Sequence, residues 1–256
     1  MLNFVYHKPR FLIRAYKYLF EYDKDEINYV RHNLGQGDTA FDIGAHKGSY
    51  TYWMRRSVKK TGIIVCIEPQ PILFEYLKRM FNMFRYSNVI LMDCAVSYND
   101  TEGVISVPAI PGKTSQEARI DDQNIVVNKK EYHQINVKIR SLDSIVDETD
   151  LKPKIVKIDV EGHEYSVIKG MDKMLTNIRP KIIMECEARH INNHTVFDVF
   201  NLIYDKGYEG YFYQNGIKKP LDQFDLKRDQ LSYVDKQQWS DNNYVNNFVF
   251  EPRQKS

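Results

Sequence analysis

The chain has 256 residues, with 36 Lys and Arg against 34 Asp and Glu, for a formal net charge of +2. This near-balance argues against a nucleic-acid binder held by a basic field. A hydrophobic content of 43% with 13% aromatic residues excludes a disordered or collagen-like chain, and the length suits one large α/β domain.

Residues 1–34 read as a helical segment ahead of a main domain over 35–256. Residues 1–20 carry Lys8, Arg10, Arg14 and Lys17 and no acid. Their apolar residues are scattered among those charges rather than gathered into a secretory core. No run approaches the roughly 18 apolar residues of a membrane span. The segment is expected to pack as a helix over the rim of a site; peripheral contact with an acidic membrane surface is the alternative.

From there, short apolar runs alternate with amphipathic stretches. Thr39-Ala40-Phe41-Asp42-Ile43 reads as a strand ending in a glycine turn, and residues 62–68 as a second, buried on both faces. Val89-Ile90-Leu91-Met92, Ile155-Val156-Lys157-Ile158-Asp159 and Lys181-Ile182-Ile183-Met184-Glu185 are further strands. Between them Ile72, Leu73, Tyr76, Leu77, Met80, Phe81 and Phe84 form one helical stripe. Val167, Ile168, Met171 and Leu175 form another, and Val196, Val199, Phe200 and Ile203 a third. This alternation predicts βαβ crossovers and a parallel sheet. Residues 208–213 and 247–250 suit an antiparallel pair at one edge. Residues 103–140 break the rhythm as a β-rich insertion with a polar middle over 113–130. Cys66, Cys94 and Cys186 each lie in or beside apolar runs and make no disulfide framework, which points to a reducing, cytoplasmic setting.

Two constellations carry chemistry. In the first, Gly44 and Gly48 of Asp42-Ile43-Gly44-Ala45-His46-Lys47-Gly48 permit a tight turn and close approach to a ligand. The dinucleotide fingerprint is absent, because position 46 holds no glycine. Asp42 suits a cationic ligand group, Glu68 the hydroxyls of a ribose, and Asp93 an adenine amino group. In the second, Asp159, Glu161, Glu164, Glu185, Glu187 and His190 gather around the ends of the fourth and fifth strands. Asp159 or His190 could act as a general base. Asp159, Glu185 and His190 could instead hold a divalent cation, or the acids could be structural helix-start and strand-end groups. The tyrosines and phenylalanine at 208 and 211–213 read as cross-strand core pairs or as a sugar platform.

The pattern Asp42-x-Gly44-Ala45-x-x-Gly48-x-Tyr50-Thr51, then Glu68-Pro69, resembles the first two motifs of class I S-adenosylmethionine-dependent methyltransferases. Lys157-Ile158-Asp159-Val160-Glu161-Gly162-His163-Glu164, with Val167-Ile168-Lys169-Gly170, is similar to the signature of the FkbM-type members; Leu142-Asp143 and Ile183-Met184-Glu185 match that layout. The resemblance covers roughly residues 35–190, and the family often has Asn where this chain has His46. It implies a Rossmann-like, seven-stranded, mostly parallel sheet with an antiparallel edge strand. It also implies S-adenosylmethionine bound by Asp42, Gly44, Ala45, His46, Gly48, Tyr50, Thr51, Glu68, Pro69, Asp93, Cys94 and Ala95. The expected reaction is O-methylation of a sugar, glycan or natural-product hydroxyl, with Asp159, Glu185 and His190 facing the acceptor. The rival readings are a nicotinamide-dependent oxidoreductase and an inactive cofactor-binding module.

Overall fold

A central sheet forms because its strands are apolar on both faces, which only flanking helices can cover. The computed structural model describes residues 7–108, 119–120, 132–234, 238, 241 and 243–254. Parallel strands β1 (Thr39–Ile43), β2 (Ile63–Ile67), β3 (Val89–Met92), β8 (Ile155–Ile158) and β9 (Lys181–Glu185) make one half of the sheet. β12 (Asn247–Pro252) runs antiparallel between β9 and β10 (Tyr208–Gln214), and β10 turns back into β11 (Ile217–Pro220). The order is therefore β11-β10-β12-β9-β8-β1-β2-β3.

The expected class holds, with two refinements. The reversed strand lies inside the sheet, and an eighth strand, β11, forms the edge. That hairpin follows from Asn215-Gly216, whose φ values of 54° and 75° are those a tight two-residue turn requires. The insertion is β-rich as expected and builds a second sheet. β5 (Thr101–Pro108) pairs antiparallel with β7 (Tyr132–Arg140), flanked by β4 (Cys94–Val96) and β6 (Arg119–Ile120). Apart from β6, the polar middle over 113–130 lies outside the described residues. The helix after β8, α6 (Glu164–Lys169), is shorter than its apolar stripe suggests. It stops at Gly170, where a Cβ would stand 2.0 Å from the Ser97 carbonyl oxygen.

Alternate residues of each strand feed two cores. Phe41, Val65, Val156 and Ile182 pack on one face with α5 (Leu142–Thr149), α6 and α7 (Val196–Tyr204). Ala40, Ile64, Ile155 and Ile183 pack on the other, beneath α1 (His7–Lys17), α2 (Lys24–Asn33), α3 (Ser49–Val58) and α4 (Pro71–Phe84). The basic N-terminal segment is thus part of the core. Phe11 and Ala15 are fully buried, Phe11 packs on Tyr52 and Phe84, and Trp53 Nε1 donates to the Ala15 carbonyl at 2.7 Å. No described helix is long and apolar enough to cross a membrane. The three cysteines are buried free thiols.

Removing a fully buried phenylalanine costs about 3–5 kcal/mol. Phe11→Ala should lose that much in urea unfolding; a loss below about 1 kcal/mol would show that α1 is not docked as described.

Candidate active site

Parallel sheets of this kind open a crevice at the carboxyl ends of their strands. Here the crevice is a cleft of about 1080 Å³ over the ends of β1, β2, β8 and β9, walled by β4 and by the turn between α1 and α2. Its floor exists because β1 and β8 approach very closely. A Cβ on Gly44 would stand 1.8 Å from the Asp159 carbonyl oxygen, and Gly44 has φ 72°. Gly48, at φ 77°, leaves room for Leu77 and Phe11 beneath the following helix.

Asp42, Ala45, His46, Tyr50, Glu68, Pro69, Cys94 and Ala95 line this cleft with Gly44. Glu68 is buried, and its two oxygens accept the backbone N–H groups of His46 at 2.7 Å and Gln70 at 3.0 Å. Burial pushes its pKa up to about 8 despite those bonds. Asp42 accepts the Thr51 hydroxyl at 2.5 Å, and burial raises its pKa to about 6. Thr51 is fully buried behind Asp42 and lines nothing; it positions the acid. His46 sits at φ 50° with Nε2 buried and without a hydrogen-bond partner. Burial, with Lys47 and Arg14 nearby, holds the ring neutral, its pKa lowered to about 3. Asp93 behaves differently from the expectation: its side chain is exposed and outside the cleft lining, because β3 is the outermost strand at that edge.

The second constellation is brought together only in part. Asp159, Glu161 and Glu185 line the cleft, whereas His190 and Glu187 stand behind it. His190 Nδ1 lies 2.5 Å from Glu161 Oε2, so His190 reaches the cleft only through Glu161. Glu187 is held by Arg189 through paired contacts of 2.7 and 2.8 Å and by the Tyr244 hydroxyl, which together keep its pKa low against burial. Glu185 accepts Asn246 Nδ2 at 2.9 Å; burial and the Asp159 charge push its pKa well up. His163 bonds Ser97 through Nε2 at 2.9 Å. Among the described residues, no group of three or more His, Cys, Asp and Glu side chains is arranged to hold a metal ion.

The group that sequence reasoning missed sits at the centre. Lys157 is 1% exposed, with Nζ 3.4 Å from Asp159 Oδ2 and 4.9 Å from the Tyr50 ring centroid. Burial opposes its charge, but Asp159, Glu185, Asp23 and Asp42 outweigh that and raise its pKa. A lysine inside a fully buried strand was the available signal. Asp23, which accepts the Tyr50 hydroxyl at 2.9 Å, and Glu26 had none, since only packing of the N-terminal helices brings them to the cleft.

A parallel sheet with a reversed strand beside β9, and a glycine cradle beneath a cleft at the strand ends, defines a class I methyltransferase fold. The model of the methyltransferase FkbM domain matches residues 42–209, and the chain belongs to that family. It is similar to Methyltransferase 1 of Beauveria bassiana, 26% identical over 161 residues covering 58% of this chain and 64% of that protein. It is also similar to the hexuronic acid methyltransferase AglP of Haloferax volcanii, 23% identical over 167 residues covering 65% and 63%. The crystal structure of methyltransferase FkbM from Methylobacillus flagellatus shares the fold, with a TM-score of 0.54 at 17% identity, over 85% of this chain and 44% of that one. The matched region spans just under two thirds of these curated relatives.

The raised carboxyl values set a pH dependence of stability. Folding favours the protonated forms of Glu68 and Glu26, both with pKa about 8, so their contribution falls as pH climbs from the unfolded value of 4.5 through about 8. Neutral, buried His46 acts oppositely, but only below its unfolded value of 6.5. The melting temperature should therefore fall between about pH 6.5 and 8, and fall less in Glu68→Gln. A rise over that interval would contradict the burial described.

Proposed function

We propose that the protein is an S-adenosylmethionine-dependent O-methyltransferase acting on a hydroxyl of a sugar-like acceptor. The observation that carries this reading is the division of one cleft into a glycine cradle flanked by Glu68 and a separate polar half around Asp159 and Lys157. The residues fit the methyl donor. Each Glu68 oxygen already accepts one backbone N–H and keeps a lone pair for a ribose hydroxyl. Cys94, Ala95, Val96 and Ile105 offer an apolar wall to a flat base. The unpartnered Nε2 of neutral His46, with Arg14 and Lys47 nearby, offers donors to a carboxylate.

When bound, S-adenosylmethionine supplies a sulfonium methyl whose C–S bond breaks as the acceptor oxygen forms the new C–O bond, leaving S-adenosylhomocysteine. The chain's task is to align the acceptor oxygen and receive its proton. Alignment contributes up to roughly 7–11 kcal/mol, and a positioned base adds about 10²–10⁴-fold. Asp159, a third exposed in the cleft and steadied by Lys157, is the proposed base. Glu185, beside it, binds the acceptor hydroxyl network together with Asn246. The exposed rings of Phe20 and Tyr22 at the cleft mouth suit the apolar face of a sugar. The hexuronic acid relative supports a sugar-class acceptor.

Calorimetric titration with S-adenosylhomocysteine, and with NAD in parallel, tests the cofactor class. Binding of the first alone is expected; binding of NAD alone would favour the oxidoreductase, and binding of neither a cofactor-free module. Glu68→Ala should weaken S-adenosylhomocysteine by one to two decades, since charged hydrogen bonds contribute roughly 1.5–3 kcal/mol each. Asp159→Asn should spare that affinity while slowing methyl transfer by about 10²–10⁴-fold; normal turnover would remove Asp159 from the chemistry.

A further inference from the structure

One wall of the cleft carries charge that methyl-donor binding and proton transfer leave unused. Glu26 occupies an inward position of α2, beside the buried Ile27 and Val30, where an amphipathic helix ordinarily places an apolar residue. It is 7% exposed and lines the cleft. Among the described residues its carboxylate bonds only its own backbone amide. A carboxyl buried to this extent without a partner from another residue is costly unless something compensates it. Asp23, three residues earlier, lines the same wall and has one oxygen engaged by the Tyr50 hydroxyl at 2.9 Å.

The charges facing this wall come from several elements. Asp25 lies beside Glu26, Lys157 and Asp159 project from the end of β8, and the hydroxyls of Tyr50 and Tyr213 approach from α3 and β10. Lys157 is the buried cation among them, its ammonium already engaged 3.4 Å from Asp159, and the exposed Lys24 also lines the cleft beside Asp23. Asp23, Asp25, Glu26 and Asp159 thus outnumber Lys157, the buried cation they face.

Resting on the methyltransferase reading above, we infer that this half of the cleft takes a polyhydroxylated acceptor bearing a protonated amine, an amino sugar in chemical class, with Glu26 and Asp23 receiving the ammonium. An ammonium supplies a further cation against these carboxyls and donates up to three hydrogen bonds. Its hydroxyls then lie toward Asp159, where one loses its proton. A uronic acid would bring a further negative charge against Asp23, Glu26, Asp159 and Glu185 and is disfavoured. This sets the chain apart from its hexuronic acid relative. Burial, Asp23 and Asp25 hold the Glu26 pKa up at about 8 against Lys157, so Glu26 is largely protonated at neutral pH. A bound ammonium favours the ionised form, so binding releases a proton and strengthens as pH rises toward 8.

The test is calorimetry on the protein saturated with S-adenosylhomocysteine, titrated with glucosamine, N-acetylglucosamine and glucuronic acid at pH 6 and 7.5. Glucosamine is expected to bind roughly tenfold or more tighter than its acetylated form, as one charge-assisted hydrogen bond supplies. That preference should widen at pH 7.5, with glucuronic acid the weakest of the three. Glu26→Gln, nearly the same shape, should bring glucosamine down to the acetylated level while S-adenosylhomocysteine binds as before, which also reports that the variant is folded. Equal affinity for the three sugars, binding by none, or a preference for the uronic acid overturns the inference and leaves the cofactor reading standing. Loss of S-adenosylhomocysteine affinity in Glu26→Gln also overturns it, by moving Glu26 to the cofactor half. If the wild-type protein fails to bind S-adenosylhomocysteine at all, the methyl-donor reading falls and this inference with it.

Discussion

The buried ammonium of Lys157 is the constraint around which the cleft is organised. An ion taken out of water costs several kcal/mol even after relaxation, and it persists only where other charges and hydrogen bonds compensate it. In this chain the compensation comes from four carboxyls on four separate pieces of backbone: Asp42 at the end of β1, Asp159 after β8, Glu185 at the end of β9 and Asp23 ahead of α2. Register contributes directly, since Asp42 and Lys157 are partners across the β1–β8 ladder. Removing Lys157 would leave four carboxyls facing one another in a low-dielectric cleft without the ammonium they share, whereas removing any one acid leaves three around the lysine.

The same arrangement explains why the N-terminal helices belong to the site. Phe11, Ala15 and Leu19 bury one face of the segment against α3 and α4, and that packing sets where the turn over residues 18–23 falls. The turn delivers Tyr18 and Asp23 to the cleft and fixes Tyr50 by a hydrogen bond. Arg14, one helical turn earlier, faces the His46–Lys47 end. The N-terminal helices therefore contribute a basic group toward the glycine cradle from α1 and acidic groups to the other half of the cleft from the start of α2. A segment that composition alone describes as basic ends up closing an acidic cavity.

The parallel order of β1, β2, β3, β8 and β9 was legible because continuous apolar runs bounded by glycine and acid signal doubly buried strands. The placement of the glycine loop, Glu68 and Asp159 in the cleft was legible because it follows from position at a strand end. Three things were not. Asp93 satisfied the same positional rule, but its strand is the outermost and its side chain is exposed. His190 had the right chemistry and a nearby sequence position, yet Gly162 packs against its backbone and Glu161 stands between it and the cleft. Asp23 and Glu26 lie more than a hundred residues from the β8 motif they face, and no local pattern encodes a contact made through tertiary packing. The Asn215-Gly216 hairpin was in plain view, and the strand it adds was missed because β11 is the short, largely exposed run Ile217-Lys218-Lys219-Pro220 rather than an apolar one.

The charge budget of the cleft also bears on how the proposed chemistry would proceed. Passing a proton to Asp159 while a sulfonium becomes a neutral thioether removes one negative and one positive charge together. A dry, low-dielectric site favours such mutual annihilation, because the separated charges are poorly solvated at the outset. Lys157 Nζ stands 3.4 Å from Asp159, while burial drives Glu185 and Glu68 toward their protonated forms. The carboxyls of the cleft thus differ in their surroundings: Asp159 is a third exposed beside the lysine, and Glu185 and Glu68 are buried. On the proposed reading the carboxylate beside the lysine receives the acceptor proton, and its buried neighbours hold theirs until a ligand brings a donor or a cation to them.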